Sequence, residues 1–198
     1  MNGRVYDAIA AIGERRFVGG IRAQLLPGLK GEIVEIGAGT GASFPYYDPS
    51  AHVLALEPDR SMLARAKERA KSAPAWIEML HGDDSMLDDM PAGSTDYVVA
   101  ALVFCSVEDP LRTLTRIHRI LTPGGSLVTI EHERAGDGVA RLQDLLTPLW
   151  RRVAGNCHLN RVLEPALSEA GFSQAELKNL QIPIPMRRLL YGFASKEQ

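Results

Sequence analysis

Apolar residues along the chain fall into two alternating patterns: short continuous runs, and longer stretches with apolar positions three to four apart. Residues 4–26 place Val5, Ile9 and Ile12 on one helical face, with Arg15, Arg16 and Arg22 largely elsewhere, and Pro27-Gly28 ends the stretch. Residues 33–36 are a short apolar run stopping at Gly37, as a buried parallel strand requires. Residues 53–56, 76–80, 97–103 and 126–131 read as four more strands, with turns at 91–94 and 123–125. Between them, residues 59–71 form a helix with Met62, Leu63, Ala66 and Ala70 inward and Asp59 or Ser61 near its cap. Residues 110–121 form another, opened by Asp109-Pro110, with Leu111, Leu114, Ile117, Ile120 and Leu121 on its core face. Residues 138–152 and 162–170 read as helices, Gly171 suiting the position after the second. Residues 175–181 and 189–195 are the last two strands, joined through Pro183 and Pro185.

Strands alternating with helices predict a doubly wound, Rossmann-like α/β sheet with helices on both faces. With no repeat or linker, residues 1–198 read as one domain, with 1–28 as a helical lid. A composition of 45% hydrophobic and 23% charged residues suits a packed domain and excludes a disordered chain. A net charge of −2 supplies no basic field for nucleic acid. No apolar run reaches the roughly 20 residues of a membrane span, and the N-terminus lacks a signal-peptide pattern. The expected location is therefore cytoplasmic, with peripheral membrane contact left open. Cys105 and Cys157 are far apart and read as reduced thiols. The five histidines show no H-x-x-x-H spacing and the cysteines no C-x-x-C spacing, so no metal site is expected.

The most informative segment is VEIGAGTGA at 34–42, a glycine loop between a strand and an expected helix. Gly37 and Gly39 permit a tight turn and close approach of backbone to a ligand. The loop alone also satisfies the dinucleotide pattern G-x-G-x-x-G/A, and a ligand-free junction is the bland alternative. Glu57, ending the second strand about 20 residues on, suits ribose hydroxyls in either kind of nucleoside. Three features favour a cationic ligand: Glu35 just before the loop, the close G-A-G-T-G spacing, and Asp83-Asp84-Ser85 after the third strand. A solvated turn is the structural alternative for Asp83 and Asp84.

VEIGAGTG, ALEPDRSMLARA, GDDSML, DYVVAALVFCSVEDP and ILTPGGSLVTIEH, in this order and spacing, resemble the class I S-adenosylmethionine-dependent methyltransferases. The resemblance runs from about Val34 to the C-terminus. It implies a seven-stranded sheet of order 3-2-1-4-5-7-6 with the last strand antiparallel, and S-adenosylmethionine as methyl donor. It further implies that Glu35, Gly37, Ala38 and Gly39 line the methionine and ribose portion and that Glu57 takes the ribose hydroxyls. Pro58 and Met62 would lie beside the adenine, Asp83 would meet its amino group, and Asp84 or Ser85 its ring edge. Ala101 and Leu102 would offer carbonyls to the ammonium. Within the class, LVFCSV, IEH, GNCHLNR at 155–161 and LYGFA at 190–194 resemble the methyltransferase-like-seven group, which acts on alkyl thiols. Those relatives carry an N-terminal membrane-anchoring stretch that this chain is expected to lack. Ubiquinone- and menaquinone-type and phospholipid N-methyltransferases are similar over the cofactor half.

Methyl transfer from a sulfonium is an in-line displacement, so the protein mainly positions and dehydrates its reactants. The expected reaction moves a methyl group to a small, largely apolar acceptor, a thiol being one candidate. Phosphatidylethanolamine N-methylation and a non-catalytic S-adenosylmethionine-binding module are the alternatives. His132, just past strand five, is the first candidate for a base or acceptor-orienting group, against a hydrogen-bonded structural histidine. Tyr6 is a candidate pocket wall, against ordinary packing. Cys157, with His158, Asn160 and Arg161, is a candidate acceptor-side group, against a helix cap with a buried thiol. Cys105 reads as packing beside the cofactor.

Overall fold

The computed structural model describes residues 17–196. Seven strands form one sheet of order β3-β2-β1-β4-β5-β7-β6. They are β1 Gly31–Ile36, β2 Ala51–Glu57, β3 Trp76–His81, β4 Thr95–Ala101, β5 Leu121–Glu133, β6 Phe172–Gln181 and β7 Arg188–Lys196. Strands β1 to β5 pair in parallel, and β7 runs antiparallel to both β5 and β6. The helices are α1 Gly19–Leu25, α2 Arg60–Ala70, α3 Pro110–Ile120, α4 Val139–Val153 and α5 Glu164–Glu169. The expected strand order and the reversed last strand are both present.

Helix caps follow the sequence. Asp59 Oδ1 accepts from the Ser61 and Met62 N–H groups at 2.8 and 3.1 Å, which starts α2. Asp109 Oδ1 accepts from the Arg112 N–H at 3.1 Å, with Pro110 in the first turn of α3. One core cluster gathers Val34, Ile36, Val98, Leu114, Ile117 and Leu127 under α3 and α5. A second gathers Leu26, Ile33, Phe44, Tyr47, Val53 and Val99 on the opposite face. Alternate residues of β1 and β4 thus feed opposite layers, which is why these strands read as continuous apolar runs.

The helix expected after the glycine loop does not form. Residues 39–43 are turn, followed by a single 3-10 turn at Phe44–Tyr46 with Pro45 in its first positions. A helix running from Thr40 would have Pro45 inside it, without an N–H for the ladder. Tyr47 instead turns inward, fully buried, and donates its hydroxyl to Glu35 Oε2 at 2.9 Å. Strand five is longer than expected, running from Leu121 through the Pro123–Gly125 turn, with a register slip opposite Thr95 to Tyr97. Most of the proposed lid, including Tyr6, lies outside the described residues; its described part is α1, which buries Ile21 and Arg22.

Candidate active site

The order of the sheet reverses between β1 and β4, and the carboxyl ends of these strands mark the crevice where open α/β sheets bind ligands. At the end of β1, Gly37 and Gly39 have φ of +60° and +59°, a left-handed backbone that favours glycine. A Cβ on Gly37 would lie 2.7 Å from Val103 Cγ2, so the loops after β1 and β4 pack directly on each other here. A Cβ on Gly39 would meet nothing within 4 Å among the described residues, which leave open space beside the loop at that point. Arg69 of α2 donates to Thr40 Oγ1 at 3.1 Å and secures the far side of the loop.

Glu57 holds the loop in place. Its Oε2 accepts from the Gly39 N–H and its Oε1 from the Asp59 N–H, both at 2.7 Å. Burial raises its carboxyl from the ordinary value, and the two N–H bonds oppose that shift. Each oxygen retains a further lone pair. Glu35 is buried on the α1 side of the sheet. Burial raises its carboxyl too, opposed by hydrogen bonds from Ser43 and Tyr47 and by the charge of Arg22. The Ser43, Tyr47 and Arg22 surroundings of Glu35 were not visible as a site in the sequence.

Around the rim, Asp83 is exposed after β3, and its Oδ1 accepts from the Ser85 N–H at 3.0 Å and the Ser85 hydroxyl at 2.6 Å. Asp84 is turned elsewhere: its Oδ2 accepts from Thr113 Oγ1 at 2.8 Å and pairs with Arg116 at 2.7 Å. Asp84 therefore ties the loop after β3 to α3. The Pro58 carbonyl lies 3.0 Å from His81 Nε2, and Met62 is half-buried on α2. Ala101 ends β4, and Leu102 follows with φ of +61°, its N–H donating to the Ile130 carbonyl at 2.8 Å. A left-handed leucine costs about 1 kcal/mol or more, and here it re-aims the chain at the crevice.

The acceptor-side candidates converge. His132 Nε2 lies 3.0 Å from Cys157 Sγ, and Cys105 Sγ joins them, the three ligand atoms lying within 4.8 Å of one another. All three side chains are buried. The segment before α5 makes this possible. Arg161 Nη1 donates to the Phe104 and Val107 carbonyls at 2.6 Å, and His158 N–H to the Cys105 carbonyl at 2.8 Å. Asn160 instead donates to Asp144 at 3.0 Å. Burial alone would push His132 down, but the hydrogen bond with Cys105 and the charges of Cys105, Glu131 and Glu133 carry it upward. Sequence reasoning missed Glu131, whose Oε1 accepts from the Val103 and Phe104 N–H groups at 2.5 and 2.9 Å. The available signal was the E-H-E alternation closing an otherwise apolar strand. Beside these groups lies a half-enclosed cavity of about 220 Å³, walled by Phe104, Cys105, Leu111, His132, Leu163 and Ala166 among others.

A glycine loop tied to a ribose-type carboxylate, with two further carboxylates near the crevice and open space beside Gly39, fits a cationic nucleoside. Together with this sheet order it defines the class I S-adenosylmethionine-dependent methyltransferases. A family model described as a methyltransferase domain matches residues 34–129. Human thiol S-methyltransferase TMT1A is 29% identical over 97% of this chain and 82% of its own length. Human thiol S-methyltransferase TMT1B is 31% identical over 84% of this chain and 70% of its own. The solved S-adenosylmethionine-dependent methyltransferase of Methanosarcina mazei superposes with a TM-score of 0.68 at 17% identity, covering 92% of this chain and 97% of that one, a likeness of fold. The chain belongs to the methyltransferase family that includes TMT1A and TMT1B.

Proposed function

We propose that this enzyme methylates a small, largely apolar thiol. The observation that carries the reading is the segment from Leu102 to Cys105, which faces two ways. Its Val103 side chain packs on the cofactor loop at Gly37, and its Phe104 and Cys105 wall the 220 Å³ cavity. This segment borders both spaces, so a donor and an acceptor meeting at its edge, with nothing between the methyl carbon and the acceptor sulfur, would be held in fixed relation, which is the main source of acceleration for an in-line transfer. S-adenosylmethionine supplies the electrophilic methyl group when bound. Glu57, Gly37, Ala38 and Gly39 would hold its ribose and methionine portions, Glu35 acting from below through the Tyr47 web, with Asp83, Ser85, Pro58 and Met62 around the adenine. Leu102 and Ala101 would meet the ammonium. The apolar wall of Phe104, Leu111, Leu163 and Ala166 excludes water from the acceptor, and His132 with Cys157 orients it. A cavity of this size suits an alkyl thiol better than a two-chain lipid. The enzyme is to be incubated with S-adenosylmethionine and, separately, a small alkyl thiol, a phenol and phosphatidylethanolamine vesicles. Thioether and S-adenosylhomocysteine in the thiol arm are expected; binding of S-adenosylhomocysteine with no thiol turnover would remove the thiol reading and leave the cofactor site standing.

Peripheral membrane contact is a second reading, favoured by α4. Leu142, Leu145, Leu149 and Val153 form a stripe on this helix, with Leu145 76% exposed and Leu149 63%. Arg141 and Arg152 border the stripe on one side, the combination an interfacial helix uses. Among the described residues no helix is long and apolar enough to cross a membrane. A membrane-surface location for the enzyme follows from this reading.

A further inference from the structure

We propose that Cys105, His132 and Cys157 form a zinc site with three protein ligands and a fourth position open to the acceptor cavity. Two thiols and an imidazole from three separate elements meet in the interior, 4%, 7% and 2% exposed for Cys105, Cys157 and His132. Their ligand atoms span from 3.0 Å, for His132 Nε2 and Cys157 Sγ, to no more than 4.8 Å. A tetrahedral zinc with Zn–S near 2.3 Å and Zn–N near 2.0 Å sets its donors about 3.5 Å apart, within that span. Sulfur and imidazole donors select zinc over magnesium or calcium.

A second observation points to a cation. Glu131 is 1% exposed, and among the described residues its Oε2 has no hydrogen-bond partner. Burial raises the Glu131 carboxyl, and the hydrogen bond with Cys157 together with burial raises the Cys105 thiol, so both favour their neutral forms; a dication held between the two sulfurs would stabilise the thiolates and offset the cost of burying these polar groups. Among the described residues no fourth His, Cys, Asp or Glu atom joins the cluster. Cys105 and His132 both line the cavity, so the remaining position opens there. Three protein ligands with one open position is the arrangement of catalytic rather than structural zinc. An alkyl thiol entering that position would bind through sulfur as the thiolate, its proton leaving to solvent and no redox change occurring. This last consequence rests on the thiol reading above; the metal site does not.

The test uses the full chain, purified with a phosphine reductant. Zinc is measured by elemental analysis, then removed with chelator and replaced by cobalt(II) alone. The expected result is one zinc per chain and, with cobalt, a near-ultraviolet thiolate charge-transfer band. Cys105→Ser and Cys157→Ser should each cut that band by about half or more and the double variant should abolish it, and His132→Ala should weaken metal affinity by about 100-fold or more, since even supporting residues cost 10–100-fold. Melting curves and S-adenosylhomocysteine calorimetry on each variant establish that it is folded and keep this result separate from the methyltransferase reading. Absence of metal and of the cobalt band in the wild-type chain with two reactive thiols would overturn the proposal. So would a mass two hydrogens lower with no free thiol, which means a disulfide, or a cobalt band that the cysteine substitutions leave undiminished, singly and together. Adding a small alkyl thiol to the cobalt form should change its visible spectrum; an unchanged spectrum would overturn the open fourth position.

Discussion

The Gly39 N–H donates to Glu57 Oε2 at 2.7 Å, so the end of β2 holds the loop at the end of β1. One carboxylate thereby shapes the loop and presents its remaining lone pairs to the crevice. Glu57→Ala should raise the dissociation constant of S-adenosylhomocysteine by about 100-fold or more, through lost charged hydrogen bonds of about 1.5–3 kcal/mol each. Calorimetry measures the affinity and urea melts the accompanying loss of stability. Unchanged affinity would place the ribose elsewhere.

Two glycines two residues apart should respond differently. Gly37→Ala combines a left-handed backbone with a Cβ 2.7 Å from Val103 Cγ2, so strain and overpacking together should cost about 2–4 kcal/mol of stability. Gly39→Ala carries only the backbone strain, about 1 kcal/mol, because its methyl meets none of the described residues in the space beside the loop. That space is the proposed cofactor cleft, so Gly39→Ala should remain folded and bind S-adenosylhomocysteine about tenfold or more weakly, a loss of about 1.4 kcal/mol. Thermal melts and calorimetry on both variants separate the two effects.

Asp83 and Asp84 are adjacent but have different work. Asp83→Asn keeps an oxygen for Ser85 and puts an NH2 where an adenine amino group needs an acceptor. Cofactor affinity should fall several-fold with the melting temperature nearly unchanged. Asp84→Asn breaks the pair with Arg116, whose side chain is 11% exposed, and should cost about 1 kcal/mol of stability with little change in affinity. The reverse pattern would exchange their roles.

The exposed stripe on α4 gives a direct test of membrane contact. Leu145→Glu with Leu149→Glu should weaken binding to anionic vesicles about 30-fold or more in co-sedimentation, since each leucine withdrawn from the interface forfeits about 1 kcal/mol or more. Both side chains already face solvent, so thermal stability should be unaffected. Equal sedimentation of wild type and variant would remove α4 from the contact.

The sheet was legible because β1, β4 and β5 are buried on both faces and so read as apolar runs, while Asp59 and Asp109 mark helix starts chemically. The helix after the glycine loop was misread because Pro45 and the inward turn of Tyr47 act through tertiary packing on Glu35, invisible to a local pattern. His132 and Cys157 were legible singly, one by its place past a strand and one by GNCHLNR. Their meeting with Cys105 was not. Spacing rules for metal sites detect ligands on one local element, whereas these three come from β5, the loop after β4 and the segment before α5. The clamp by Arg161 and His158 on residues 104–107 joins them, and it exists only in three dimensions.

Glu35 should leave a mark on the pH dependence of stability. Its carboxyl is raised by burial, so between the ordinary value of 4.5 and its folded-state value the native chain binds more protons than the unfolded chain. Its stabilising contribution is then fully present below 4.5 and is lost as pH rises through the folded-state value. Glu35→Gln cannot ionise and keeps an acceptor for the Tyr47 hydroxyl. Glu57, Glu131 and Glu133 are raised in the same direction and act in both proteins, so the difference between wild type and variant isolates Glu35. Urea melts from pH 4 upward should show the variant gaining on the wild type as pH rises through that window. A constant difference would mean that Arg22, Ser43 and Tyr47 together hold Glu35 at its unfolded value, and burial would no longer be the dominant influence on it.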